Sequence, residues 1–225
     1  MRPISIVHQD PCLTVFKHCS KDTVVICMGS PASCPLCDGE LKDWMFSFRQ
    51  IFAPWKTSES CPCTIVIRPT NGRFLQDYTG VEDLHIGIAD SDGQVLHYDD
   101  NGIKRDTFWP ECLPVWSQPD ADLLTYGSGS IPDTQRCRWN NTLTLHTLSW
   151  RIDNHAYNEQ VRNCFDFALG FVRALITETE PFGNKEMFTS EVILPKIQRL
   201  LRFLELYKKV CSTARSWIIQ DTKDM

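Results

Sequence analysis

Residues 84–98 admit few folds. Leu84-His85-Ile86-Gly87-Ile88-Ala89 and Val95-Leu96-His97-Tyr98 are short runs rich in β-branched and aromatic residues. Between them lies Asp90-Ser91-Asp92-Gly93, a strong turn signal, so the two runs close as an antiparallel hairpin. Each arm carries one histidine. Alternation puts His85 on the face of Gly87 and His97 on the face of Val95. Whether the two imidazoles share a face depends on register, which the pattern leaves open.

A hairpin needs further strands and a second layer to bury its apolar side. Cys63 to Ile67 supplies a strand just upstream, and Leu13–Phe16 and Val24–Cys27 read as strands near the start. Cys34-Pro35-Leu36-Cys37-Asp38-Gly39 reads as a tight turn, and residues 53–62 as a loop. Residues 99–150 show no clear period; we expect an irregular stretch with a strand at Leu143–Leu148. Two helices close the chain. One starts between Asn158 and Asn163 and runs to about Thr177, with Val161, Phe165, Ala168, Val172 and Leu175 at helical spacing. The other spans about Ser190–Ala214, with Ile197, Leu200, Leu201, Leu204 and Val210 as its stripe. Thr189 or Ser190 is its expected cap, and Pro195 falls in its first turns or parts a short helix from a longer one.

With 225 residues, the chain can remove roughly 70% of its unfolded surface from water. The net charge of −5 and the absence of basic runs exclude a nucleic-acid binder. No run approaches the roughly 18 apolar residues of a membrane span, and Met1–Asp10 lacks a secretory pattern. Eleven cysteines without such a leader point to reduced thiols in the cytoplasm, with the nucleus as a second location.

The segment Asn158-Glu159-Gln160-Val161-Arg162-Asn163-Cys164-Phe165-Asp166 places Cys164 in the first turns of a helix. The positive helix end favours a thiolate, and free N–H groups there can hold an oxyanion. With His85 as base and His97 orienting it, Cys164 would attack a carbonyl and transfer an acyl group through a thioester. The structural alternative is a small core cysteine and two hydrogen-bonded strand histidines.

The order His-x-Gly-Ile, Gly-containing turn, Val-Leu-His and later Asn-Cys-x-x-Phe resembles the permuted papain-like superfamily. Its lecithin–retinol acyltransferase and phospholipid acyltransferase branch is the nearest likeness. That resemblance implies an α+β fold, an antiparallel sheet packed on helices, with Cys164 as nucleophile, His85 as base and His97 as third polar residue. The branch reads Asn-Cys-Glu-His-Phe where this chain has Asn163-Cys164-Phe165-Asp166-Phe167. A second likeness covers nearly the whole chain. Phe16-Lys17-His18-Cys19, Cys34-Pro35-Leu36-Cys37, Ile67-Arg68-Pro69-Thr70-Asn71-Gly72, Asp83-Leu84-His85-Ile86-Gly87-Ile88, Gly102-Ile103-Lys104-Arg105-Asp106 and Asn163-Cys164-Phe165-Asp166-Phe167-Ala168 resemble the makorin-2 opposite-strand protein family. That family carries no established activity.

Cys34-x-x-Cys37 is a metal knuckle or a redox pair. His18-Cys19, fifteen residues upstream of Cys34, suits a small zinc ribbon. His18, Cys19, Cys34 and Cys37 would close a structural zinc site. Neighbours on a strand point to opposite faces, so Cys61 or Cys63 could replace one ligand. The alternative is a hairpin with unligated cysteines. We therefore expect a Cys-rich element over 1–62 and a papain-like α+β domain over 63–225. Three functions compete: a cysteine hydrolase or acyltransferase acting on an acyl or peptide-like substrate, a non-catalytic protein-binding module, and a zinc-stabilised adaptor.

Overall fold

The computed structural model describes residues 11–19, 23–29, 31–41, 48–118, 131–153, 156–176, 182–213 and 217–221. Two compact units emerge: Met1–Pro54 with Leu200–Met225, and Trp55–Arg199. The C-terminal segment thus belongs with the first unit. A helix followed by a strand brings the chain back to its start, a return that chain order does not display.

The first unit is a four-stranded antiparallel sheet. Its strands are β1 (Cys12–Phe16), β2 (Thr23–Met28), β3 (Arg49–Phe52) and β9 (Trp217–Asp221), in the order β3-β1-β2-β9. The expected strands at Leu13–Phe16 and Val24–Cys27 are its centre. Alternation sends Phe16, Val25 and Cys27 into a cluster with Cys34 and Leu41, against which Phe48 packs. The turn after β2 carries Cys34 to Gly39, closed by Cys34 N–H to the Gly39 carbonyl at 2.8 Å and Asp38 N–H to the Cys34 carbonyl at 2.8 Å.

The second unit is built on a five-stranded antiparallel sheet, ordered β7-β6-β5-β4-β8. These are β4 (Thr64–Pro69), β5 (Leu84–Ala89), β6 (Val95–Asp99), β7 (Gly102–Asp106) and β8 (Leu113–Ser117). The β5–β6 hairpin turns where expected, and Gly93 sits there at φ +79°. A side chain at Gly93 would run into the backbone of Ser58 and Glu59, so this position needs glycine for both reasons.

The helices are α1 (Asp133–Ile152), α2 (Cys164–Leu175), α3 (Lys185–Phe188) and α4 (Leu194–Ser212), a π-turn at Thr189–Ile193 joining the last two. The stretch expected to be irregular holds β7, β8 and α1, and the expected strand at Leu143–Leu148 is the middle of α1. The pattern misleads because α1 is apolar on two sides. Trp139, Leu143 and Thr147 are buried at four-residue steps, while Leu145, Leu148 and Ile152 face solvent. That doubling erases the amphipathic signal and leaves a strand-like alternation at Leu143 and Leu145.

Asn163 caps α2. Its Oδ1 accepts from Phe165 N–H at 2.9 Å and Asp166 N–H at 3.2 Å, and the Asp166 carboxylate accepts from Asn163 N–H at 3.0 Å. This reciprocal box fixes the helix start one residue before Cys164. Val161, expected in the apolar stripe, lies ahead of the helix and is exposed. Asn184, rather than Thr189 or Ser190, caps the last helical run, through Met187 N–H at 2.8 Å. Pro195 lies directly after the π-turn, where the i→i−4 ladder is already interrupted and a residue without an N–H is accommodated.

Candidate functional site

Register settles the face of each histidine. Gly87 pairs with His97 on one side and with Val66 on the other. Cross-strand partners share a face, so Val66, Gly87 and His97 lie together, and alternation adds Arg68, His85, Ala89 and Val95. A Cβ at Gly87 would collide with Val95 and with Trp109. The missing side chain is what lets the Trp109 ring lie on this face beside both histidines, 6.0 Å from His85 and 5.6 Å from His97 between ring centroids.

The two imidazoles meet edge to face. His85 Nε2 is 2.8 Å from His97 Nδ1, with the rings 88° apart. His97 Nε2 lies 3.2 Å from Asp106 Oδ2, an electrostatic contact whose alignment falls short of a full hydrogen bond. The carboxylate favours the proton on His97 Nε2, so His97 Nδ1 accepts from His85 Nε2–H, leaving His85 Nδ1 with a lone pair. Trp109 Nε1–H donates to the same Asp106 oxygen at 2.7 Å. The Arg68 guanidinium lies over the Trp109 ring at 4.2 Å and reaches Asp106 at 3.9 Å. Burial, then His97 and Arg68, push the His85 pKa down to about 4, against the pull of Asp99 and Asp106. Burial also lowers His97, with Asp106 opposing.

Cys164 is the first residue of α2 and is buried, 4% exposed. Helices α1 and α2 cover the other face of the sheet. Tyr98, which alternates with His97, packs on Trp150 and Phe167 at 5.5 and 6.3 Å. Trp116, paired with Ile65, stacks on Trp139, which meets Phe171. The Cys164 thiol touches the N–H groups of Ile86 and Phe165; burial pushes its pKa up more strongly than those dipoles lower it. Tyr157 lies against the sulfur and is itself pushed up to about 12, first by burial. Among the described residues, no hydrogen bond joins Cys164 to His85 or His97. The structure brings the two histidines together and sets Cys164 on the helix side of β5.

The second candidate site lies in the first unit. His18, Cys19, Cys34 and Cys37 each offer one ligand atom, and the four atoms fall within 4.8 Å of one another. His18 Nδ1 is 3.1 Å from Cys19 Sγ and 3.3 Å from Cys37 Sγ, and Cys19 Sγ is 3.4 Å from Cys34 Sγ. His18 and Cys19 follow the end of β1 in a bend. The strand rule that made adjacent ligands awkward therefore does not apply to them. Gly39 passes so close that a Cβ there would press on the His18 ring and the Cys37 sulfur at 3.1 and 3.3 Å.

The partners of the histidine pair were not legible in sequence. Asp106 ends, and Trp109 follows, a strand that carries no periodic signal, and Arg68 reads as an ordinary strand residue. The only available clue was the spacing of the strands themselves, which places Arg68 opposite His85 once the register is known.

The pH dependence of stability follows from the histidine pair. An unfolded histidine takes its proton near 6.5, whereas folded His85 does so near 4. Between those values the unfolded chain binds more protons, so stability rises with pH across the window and is lost as pH falls through it. The urea midpoint is expected to drop between about pH 7 and about pH 4.5, and His85→Gln should flatten that drop. An unchanged slope in the variant would place the sensitivity elsewhere.

The comparisons agree with the whole-chain likeness. The family model described as DUF4796 C-terminal matches residues 49–210. The human MKRN2 opposite strand protein is 29% identical over 202 residues, covering 88% of this chain and 85% of its own length. No solved structure matches. With well over half its length matched, this chain belongs to the DUF4796 C-terminal family, and the human MKRN2 opposite strand protein is similar to it over most of both chains.

Proposed function

We propose that the chain is a zinc-stabilised protein-binding module on a permuted papain-like fold whose thiol chemistry is not in use. The observation that carries this reading is the separation of the parts. A thiol-dependent acyl transfer needs the base at hydrogen-bond reach of the sulfur, directly or through one water. Here alternation turns His85 and His97 towards Trp109, away from the face that α2 covers, and His85 spends its Nε2 on His97. The Cys164 thiol is buried with its pKa raised, the opposite of what an attacking sulfur requires.

What the second unit offers instead is surface. Leu145, Leu148 and Ile152 repeat along α1 and are 68%, 50% and 81% exposed. Leu148 also lines a groove of about 240 Å³ between α1 and the β6–β7 strands, together with Leu96, Ile103, Arg105 and Arg151. Apolar stripes of this kind on an otherwise charged surface are where partners dock. An apolar helix or strand with acidic flanks has the complementary chemistry.

The Cys/His cluster supports zinc. Tetrahedral zinc with Zn–S near 2.3 Å and Zn–N near 2.0 Å holds its ligand atoms roughly 3.4–3.8 Å apart. The 3.1–3.4 Å contacts and the 4.8 Å limit bracket that range. Three thiolates and one imidazole complete a closed structural set with no open position for a substrate. Such an ion would tie the chain after β1 to the 34–39 turn and contribute directly to the folding of the first unit.

Three outcomes test the reading. Protein prepared without added metal should retain about one zinc per chain, and Cys34→Ala should lose it, with faster amide exchange across 12–41 and little change across 64–117. Metal-free wild type with unchanged exchange would remove zinc from the reading. Cys164 should alkylate with iodoacetamide at least about tenfold more slowly than exposed Cys137; faster reaction at Cys164 would favour the hydrolase or acyltransferase instead. A photo-crosslinking residue at Leu148 should trap a protein partner that the double variant Leu145→Asp, Ile152→Asp fails to trap. Equal trapping by both would take the stripe out of the reading.

A further inference from the structure

Two of the eleven cysteines form a pair that neither site uses. Cys61 closes the 3-10 turn Ser58–Ser60, and Cys112 precedes β8. The segment holding Cys61 is pinned at several points. Lys56 and Cys112 exchange both backbone hydrogen bonds at 2.8 Å, Ser58 N–H donates to the Trp109 carbonyl at 2.9 Å, and Cys63 N–H donates to the Asp90 carbonyl at 3.0 Å. Cys63 adopts φ +50°, a left-handed conformation uncommon for a non-glycine residue. Cys61 and Cys112 fall in one buried cluster with Val66, Val95 and Trp109, and their thiols face each other.

Cys61 also lines a cavity of about 340 Å³, a size suited to a small ligand. Thr64, Trp116 and Ser117 form other parts of its wall. Lys56 and Lys196 are its charged lining residues, and no carboxylate lines it. Both lysines are exposed, and among the described residues neither has an ion-pair partner. The cavity therefore favours an anion, and places it beside a sulfur.

We propose that this cavity admits a small anionic disulfide, of the glutathione class, and that Cys61 and Cys112 are oxidised there to a disulfide. The Cys61 thiolate attacks one sulfur of the reagent. A Cys61–S bond forms, the reagent's S–S bond breaks, and its other half leaves as a thiolate. Cys112, deprotonated as it attacks, then displaces the second half from Cys61. Two protein thiols are oxidised, one reagent disulfide is reduced to two thiols, and the two protein protons end on those products.

The electrostatics run in the direction this order requires. Cys112 donates to the Cys61 sulfur and Lys56 lies nearby, so the Cys61 pKa is lowered. The hydrogen bond to Cys61, and then burial, raise Cys112. Cys61 lines the cavity and Cys112 does not, so a reagent held there meets Cys61 first and Cys112 resolves the mixed disulfide. The product would fasten the 55–63 segment to the start of β8, across the face that carries the histidine pair.

The test uses reduced full-length protein, oxidised glutathione as the anionic probe and cystamine as its cationic counterpart. Peptide mapping without reduction should recover Cys61 linked to Cys112, formed about tenfold faster with oxidised glutathione than with cystamine. Lys196→Gln, a surface change, should bring the two rates close together. Cys112→Ser should stop at one glutathione on Cys61. Should that variant fail to fold, the wild-type rates and mapping decide alone. Modification confined to exposed Cys137 and Cys211, or equal rates with both reagents in wild type, overturns the proposal.

Discussion

The pairing of Gly87 with His97 across β5 and β6 decides most of what the second unit presents. Strand side chains alternate, so one cross-strand pair fixes the face of every residue on both strands. This register sends Ile86, Ile88, Leu96 and Tyr98 to the helix side and His85 and His97 to the other. Glycine at 87 then leaves room for Trp109 between the histidines and Val95. A slip of β6 by one residue would turn His97 towards α2 and take it away from His85 and Trp109. The tryptophan in turn holds Asp106 through its indole N–H and carries Arg68 on its ring, so the polar group on this face is organised around a hydrophobic contact.

The hairpin itself, the strand just before it and both later helices were legible in the sequence because each has a local cause. The Asp90–Gly93 turn, the β-branched runs and the spacing of Ala168, Val172 and Leu175 act within a few residues. The Cys34–Cys37 turn and its His18-Cys19 companion were legible for the same reason, as ligand types at a metal-binding spacing. What was lost depended on partners distant in sequence. Helix α1 reads as irregular because Trp139 and Leu143 are buried by the sheet and α2, while Leu145, Leu148 and Ile152 are not buried by anything described. Register was invisible for the same reason. It comes from the sum of pairings over β4, β5, β6 and β7, and no single residue announces it.

The eleven cysteines divide by environment in a way composition could not foresee. Cys19, Cys34 and Cys37 converge with His18. Cys12, Cys27, Cys63 and Cys164 have their pKa values raised, first by burial; Cys12 is half-buried and the other three are buried. Cys137 and Cys211 are exposed, and Cys61 and Cys112 face each other beside a lysine. The cysteines of this one chain therefore occupy several unrelated environments, and a single label such as metal-binding or redox-active would fit only a subset.

Asn163-Cys164 shows why one pattern invites both a catalytic and a structural reading. An asparagine before a helix is an excellent cap, and the residue after it necessarily sits among free N–H groups at the positive helix end. Those same N–H groups are what a thiolate or an oxyanion would use. The motif thus has two sufficient causes, and the sequence between 158 and 168 is identical under both. The deciding quantity is whether a base faces the sulfur. Here the capping box is complete, with Asp166 returning the bond and Lys185 neutralising Asp166 at 3.0 Å. The structural cause accounts for Asn163 and Asp166 in full. Cys164 then needs only to be small enough to pack against Ile86, which a cysteine is.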